Sequence, residues 1–334
     1  MTSNHRRVVA VVAAASFLTL GSSCSSDGES SSGPTASEVD RPTVVVTTSI
    51  LGDVVENVVG ESAEVEVIMP AGTDPHEFEP SAAQVVSLND ADLIVANGLG
   101  FEEGLLDIVD AAAGDGVAVY EVGPDVDPLP FPEGFEDDHA GEGGATQDDD
   151  HADEEGSDDP HFFTDPERVA DGAENIAEAL GAEIPALDND TITSQATAYA
   201  DEIRAASEEI ADGFSAIADE DRVLVTNHEV FGYFADRYDF EVIGAVVPGG
   251  STAAGPSPAA LGDLVQTIED AGVPAIFVDS SSPTQLAEAV AAESGSDVEV
   301  VSLFSESLGD EGSGGETYLE MIRTNATAIT DALS

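Results

Sequence analysis

Residues 190–218 read DTITSQATAYADEIRAASEEIADGFSAIA, with no proline and a single glycine, Gly213. Ile192, Ala196, Tyr199, Ile203, Ala206, Ile210, Phe214 and Ile217 recur at spacings of three and four. That periodicity puts them on one stripe of a long helix. The fold follows from what this helix separates, because the sequence on its two sides carries the same pattern.

On the N-terminal side, 43–47 (TVVVT) is an apolar, β-branched run that predicts a buried strand, and 50–59 predicts a helix. Further strands are expected at 63–69, 92–96 and 117–122, the last preceded by a helix. The pattern restarts at Arg222, with strands expected at 223–226, 241–246, 275–278 and 298–302, helices between them, and a closing helix over 316–333. Strands alternating with helices imply parallel sheets covered on both faces. The expected fold is therefore α/β, with two similar parallel-sheet lobes joined by one long linker helix. The expected boundaries are 42–188 for the first lobe, 189–219 for the linker and 220–334 for the second lobe. A single long helix between two lobes limits how far they can swing.

Bulk composition excludes several roles. The 334 residues hold 69 acidic and 8 basic residues, the latter all arginine, for a net charge of -61. Nucleic acid and anionic membrane surfaces would repel such a chain. The excess is spread along the whole length, which suits hydration in concentrated salt and so reflects habitat more than function. The one cysteine, Cys24, permits no intrachain disulfide. It ends a segment laid out like an export signal: His5, Arg6 and Arg7, an apolar run over 8–20, then small residues. Residues 1–24 are read as this signal. Cys24 resembles the lipid-attachment cysteine of a bacterial lipoprotein box, although Leu20 stands four positions before it where three is usual. The other reading is a plain cleaved signal with an incidental cysteine. Residues 25–41 then form a flexible tether.

Residues 133–159 contain thirteen acidic residues, no basic residue, and His139 and His151. Such a stretch cannot build a core and is expected to be a surface loop. It is either a solvated insertion or a low-affinity collector of cations, since imidazole and carboxylate together can ligate zinc.

The chain has six histidines, and three lie outside the signal and the acidic stretch. His76 sits in 70–80 (PAGTDPHEFEP), just past an expected strand. His161 sits in 159–166 (DPHFFTDP), before an expected helix, and His228 in 226–231 (TNHEVF), again just past a strand. Open α/β sheets bind ligands beyond the carboxyl ends of their strands. The three are too far apart in sequence for a zinc finger, which needs short-range ligand pairs. A site assembled from distant loops suits a cleft between lobes.

At this point the chain resembles the zinc- and manganese-binding solute receptors of bacterial ABC importers. The landmarks are 70–80, 97–102 (NGLGFE), Asp159-Pro160-His161, His228 with 231–234 (FGYF), 276–280 (IFVDS) and 318–323 (YLEMIR). The resemblance implies a metal site of His76 and His161 from the first lobe and His228 and a carboxylate from the second. In the family that carboxylate is commonly an aspartate in a segment ending Leu-Gly. Here 303–309 read LFSESLG, which makes it Glu306. Asp279 is the alternative ligand and Asp310 a weaker one; Asp74 and Asp165 are candidates to orient the imidazoles. Three imidazoles and one carboxylate suit zinc better than manganese, and the manganese members usually carry glutamate where His228 stands. The resemblance also implies a monomeric, lipid-anchored receptor that closes on the ion and hands it to the membrane permease of the importer. Two alternatives come from other classes. A zinc hydrolase is disfavoured because the residue four beyond His228 is Gly232, not histidine; the other is an adhesin-like surface protein.

Overall fold

The computed structural model describes residues 41–131, 158–252, 255–295 and 298–334. The expected signal with Cys24, the tether up to residue 40, and residues 132–157 with His139 and His151 lie outside the described residues.

In the first lobe, β1 (Thr43–Val46), β2 (Glu64–Val67), β3 (Leu93–Ala96) and β4 (Val119–Glu121) form a parallel sheet in the order β2-β1-β3-β4. In the second, β5 (Val223–Thr226), β6 (Glu241–Ala245), β7 (Ala275–Asp279) and β8 (Glu299–Leu303) repeat that order as β6-β5-β7-β8. The strand sequences show why. Central β1 and β3 read TVVV and LIVA and are buried on both faces, whereas edge β2 reads EVEV and alternates between exposed and half-buried. Val44 pairs with Val65 on one side and Leu93 on the other. The expected strand at 63–69 overruns β2, because Ile68 and Met69 only continue the ladder as single bonds to Val46 and Thr47 carbonyls.

Helices cover both sheets. In the first lobe these are α1 (Ser49–Val59), α2 (Ala82–Asp90), α3 (Leu106–Asp115) and α4 (Pro166–Glu183). The 25-residue α5 (Asp190–Phe214), about 37 Å long at 1.5 Å per residue, leads to the second lobe. There α6 (Gly232–Tyr238), α7 (Pro258–Ala271), α8 (Gln285–Glu293) and α9 (Tyr318–Leu333) follow. The start of α5 is set by Asn189, whose side chain accepts from the amides of Thr191 and Ile192. It ends at Phe214, short of the expected 218, where the Ser215 hydroxyl bonds the Asp212 carbonyl (2.6 Å) in place of a helical continuation.

The apolar stripe of α5 faces inward, and Ile192, Ile203 and Phe214 are each within 1% of full burial. Removal from water stabilises each by roughly 2 kcal/mol. One contiguous core runs from Val44, Val54 and Ile176 through Ile203 and Phe214 to Phe231, Tyr233, Phe277 and Tyr318. The two sheets thus share a core on their α5 side, while each keeps a separate cluster on its outer face. Apolar contact across the seam leaves room for small sliding and little for wide opening.

Candidate metal centre

Four loops leave the carboxyl ends of strands, or enter a helix, and meet between the sheets. His76 lies in the loop after β2. The Asp74 side chain accepts the His76 amide (2.9 Å), and the other Asp74 oxygen accepts the Thr252 hydroxyl from the second lobe (2.8 Å). His161 precedes a short 3-10 turn, Phe162–Thr164, that leads into α4. Asp159 Oδ1 accepts both the His161 amide (2.9 Å) and its Nδ1 (2.7 Å). His228 follows β5 and is anchored through its carbonyl by the Thr226 hydroxyl (2.8 Å). Glu306 follows β8, in a loop held from below by Asp279, whose Oδ2 accepts the amides of Ser305 (3.1 Å) and Glu306 (3.3 Å).

The imidazoles of His76, His161 and His228 and the carboxylate of Glu306 are all buried, and their ligand atoms lie within 4.8 Å of one another. Glu306 Oε1 is 2.8 Å from His76 Nε2, 3.1 Å from His228 Nε2 and 3.5 Å from His161 Nε2. Two further atoms, His161 Nε2 and Glu306 Oε2, are buried with no hydrogen-bond partner among the described residues. Orphaned buried acceptors cost free energy unless something binds them. Phe101 packs edge-on to His76 and His161, with ring centroids 5.5 and 5.6 Å away, and gives the cluster an apolar wall.

The outer nitrogens of two imidazoles meet carboxylates. His76 Nδ1 is 3.1 Å from Glu103 Oε1, as His161 Nδ1 is 2.7 Å from Asp159. A carboxylate on Nδ1 keeps the proton there and turns the Nε2 lone pair inward, which is the tautomer a metal ligand needs. Burial opposes protonation of His76, but hydrogen bonds to Glu103 and then Glu306 outweigh it and push its pKa up to about 10. His161 is raised too, with burial again opposing and Asp159 and Glu306 prevailing. Burial alone would raise Glu306; the charge of His228 and the close approach of the three imidazoles instead hold it well below the usual carboxylate range. Among the described residues this is the one cluster of histidine, cysteine and acidic side chains with ligand atoms so close.

Four residues expected from the sequence therefore converge, and the other candidates do not join them. Asp279 is spent elsewhere: Oδ1 accepts the Ser281 amide (2.7 Å) and hydroxyl, and Oδ2 accepts the Ser305 hydroxyl (2.5 Å) besides the two loop amides. Asp310 is exposed. Asp165 caps α4 and pairs with Arg168 (2.7 Å), while Asp74 accepts the His76 amide and the Thr252 hydroxyl and does not touch the His76 ring. The orienting groups are Glu103 and Asp159, which the sequence reading missed. Asp159 was findable, since it stands two residues before His161; Glu103 is 27 residues from His76 and carried no such signal.

Gly232, which breaks the hydrolase pattern after His228, has a packing reason. A Cβ there would come within 2.9 Å of Asp159 Oδ2. Without it, α6 approaches closely enough for the Tyr233 hydroxyl to donate to the Asp159 carbonyl (2.6 Å). A cleft of about 360 Å³, lined by His76, Phe101, Glu103, Phe131, Pro160 and Ser251 among others, opens beside the cluster.

Two parallel-sheet lobes with a buried cluster of imidazole and carboxylate between them define a metal-binding receptor. Residues 44–332 match the family described as zinc-uptake complex component A, periplasmic, and the chain belongs to that family. It is 31% identical over 299 residues, 87% of its length and 88% of the relative's, to the manganese-binding lipoprotein MntA of Halalkalibacterium halodurans. It is 27% identical to the zinc-binding lipoprotein AdcA of Streptococcus pneumoniae over 82% of this chain and 52% of AdcA. Among solved structures it is similar to the periplasmic zinc-binding protein TroA of Treponema pallidum, with a TM-score of 0.75 and 28% identity over 88% of this chain and 99% of that one. The chain is thus a substrate-binding protein of the metal ABC transporter class and binds a divalent cation, rather than an enzyme. Among the described residues no helix is long and apolar enough to cross a membrane.

Proposed function

We propose that this chain is an extracytoplasmic zinc receptor that holds the ion with His76, His161, His228 and Glu306 and delivers it to the permease of an ABC importer. One observation carries the reading: three buried imidazoles and one buried carboxylate, from four separate loops, present ligand atoms within 4.8 Å of one another. Ligands 2.0–2.1 Å from a tetrahedral zinc lie about 3.3 Å apart, and the contacts to Glu306 Oε1 of 2.8, 3.1 and 3.5 Å bracket that spacing. Nitrogen-rich donor sets suit zinc, whereas manganese favours oxygen. Residues 42–188 and 220–334 act as the two lobes, 189–219 as the link, and Cys24 as the membrane anchor. With two ligands from each lobe, the ion favours the closed form.

A manganese receptor is the second reading. It is favoured by Glu306 Oε2, which has no hydrogen-bond partner among the described residues and could make the carboxylate bidentate, and by the manganese-binding name of MntA.

Competition calorimetry on the purified chain separates the two; tighter manganese than zinc binding would sink the zinc reading. His76→Ala and Glu306→Ala test the ligand set. Structural zinc binds with about 10–16 kcal/mol, so losing one of four ligands costs about 3 kcal/mol, or at least a hundredfold in affinity. Unchanged affinity in Glu306→Ala would move the fourth ligand elsewhere.

A further inference from the structure

The His76 loop and the Glu306 loop come from opposite lobes, and a ring of hydrogen bonds joins them without using either ligand. The Gly72 amide donates to Ser307 Oγ (2.9 Å) and to the Leu308 carbonyl (3.0 Å). The Leu308 amide donates to Ser49 Oγ (3.0 Å), and the two hydroxyls of Ser49 and Ser307 are 3.1 Å apart. Ser307 Oγ also reaches the Leu308 carbonyl (3.2 Å). One proton arrangement closes the ring: the Ser49 hydroxyl donates to Ser307, Ser307 donates to the Leu308 carbonyl, and the Leu308 amide returns to Ser49. Both hydroxyls are buried, and in this arrangement each donates once and accepts at least once.

The other half of the cluster is joined by separate hydrogen bonds, from the Tyr233 hydroxyl to the Asp159 carbonyl (2.6 Å) and from the Tyr318 hydroxyl to the Phe163 carbonyl (2.9 Å), and by apolar packing rather than by a closed ring. His161 and His228 are flanked by Phe163 and Phe231, which belong to the core shared by the two lobes. Apolar packing is non-directional and tolerates sliding, whereas a closed ring of buried hydrogen bonds holds only at one separation. Ser49 opens α1 at the end of β1, Gly72 lies four residues before His76, and Ser307 follows Glu306 directly. Gly72 has φ of +73°, where a side chain would strain the backbone that brings its amide to Ser307.

We infer that Ser49 and Ser307 are positioning residues that set the His76–Glu306 separation and hold the two lobes closed, and so govern how fast the ion leaves. This rests on the metal-binding reading of the four ligands. Opening the lobes separates every cross-lobe bond of the ring, whereas the ligands themselves contribute the same atoms with or without it.

The test uses the full chain loaded with zinc, mixed in a stopped-flow instrument with excess fluorescent chelator. Ser49→Ala and Ser307→Ala are each expected to release zinc about tenfold faster, the worth of one buried hydrogen bond left unmade. Because the hydroxyls form one ring, the double variant should be no more than about twofold faster than either single variant. The cobalt-loaded variants should keep the visible spectrum of the parent, since all four ligands remain. Ser307→Thr, which keeps the hydroxyl, should release at the parental rate. Parental release rates in both alanine variants would overturn the inference, as would multiplicative effects in the double variant. A changed cobalt spectrum, or release from Ser307→Thr as fast as from Ser307→Ala, would also overturn it. A parent chain that takes up no zinc would instead refute the receptor reading, so the two failures are distinguishable.

Discussion

The tripeptide Asp-Pro-His occurs at 74–76 and again at 159–161, and the two copies end in different circumstances. Locally they are alike. In each the aspartate Oδ1 accepts the amide of the histidine two residues on, at 2.9 Å, a turn that the fixed φ of the intervening proline favours. The imidazoles diverge. His161 folds back so that Asp159 also takes its Nδ1, and aspartate and histidine form one buried unit. His76 turns away from Asp74, whose other oxygen receives Thr252 from the second lobe, and meets Glu103 in the turn that precedes α3. Identical local chemistry thus supports two orienting arrangements: one contained within the tripeptide, the other assembled across the first lobe. The first should be stiffer and the second more responsive to movement of the His76 loop.

Removing the orienting carboxylates tests that contrast most severely. Asp159→Ala strands a buried Nδ1–H and is expected to weaken zinc binding by about a hundredfold, the upper range for such partners. Glu103→Gln keeps an acceptor at a side chain that is 32% exposed, and should cost only about tenfold. Equal losses in calorimetric titrations of the two variants would erase the distinction. Asp74→Ala leaves the His76 ring partners in place and removes one amide bond and the Thr252 contact. A loss of about fivefold is expected, and a loss as large as that of Asp159→Ala would mean that Asp74 also orients the ring.

The smallest effect concerns protons. His76 titrates at about 10, against an ordinary value of 6.5, so cation binding near neutral pH must displace a proton. The calorimetric enthalpy should therefore vary with the ionisation enthalpy of the buffer. The same shift acts on stability without added cation. A histidine whose folded pKa is raised contributes fully below pH 6.5 and loses that contribution as pH climbs through about 10. The melting temperature should fall by a few degrees over that window, and less in His76→Gln; equal slopes would remove His76 as the cause.

Much of this was legible beforehand because it depends on short-range pattern. The run VLVT at 223–226 became β5 with the bounds expected, and the apolar stripe from Ile192 to Ile217 was buried along its whole length. The helix starts followed from side chains that cap: Asn189 for α5, and Thr317 for α9, which begins at Tyr318 and not at 316. Asp279 shows where such reading fails. A carboxylate at a strand end is equally suited to a cation or to backbone amides. Only the crossing of the β8 loop over β7 supplied Ser305 and Glu306 as donors and used both of its oxygens.

Sequence by itself determined the alternation of strands and helices, its restart in a second lobe of similar build, and the placing of His76 and His228 just past strands. Those features rest on periodicity and turn chemistry that act over a few residues. Tertiary structure alone decided that Glu103 would face His76 from 27 positions away, that Glu306 would reach it from 230 away, and that Ser49 would meet Ser307 across the seam. The physical reason is that a buried polar group must take whichever partner the packing of the sheets delivers. Two copies of Asp-Pro-His, identical as text, were therefore free to acquire different partners.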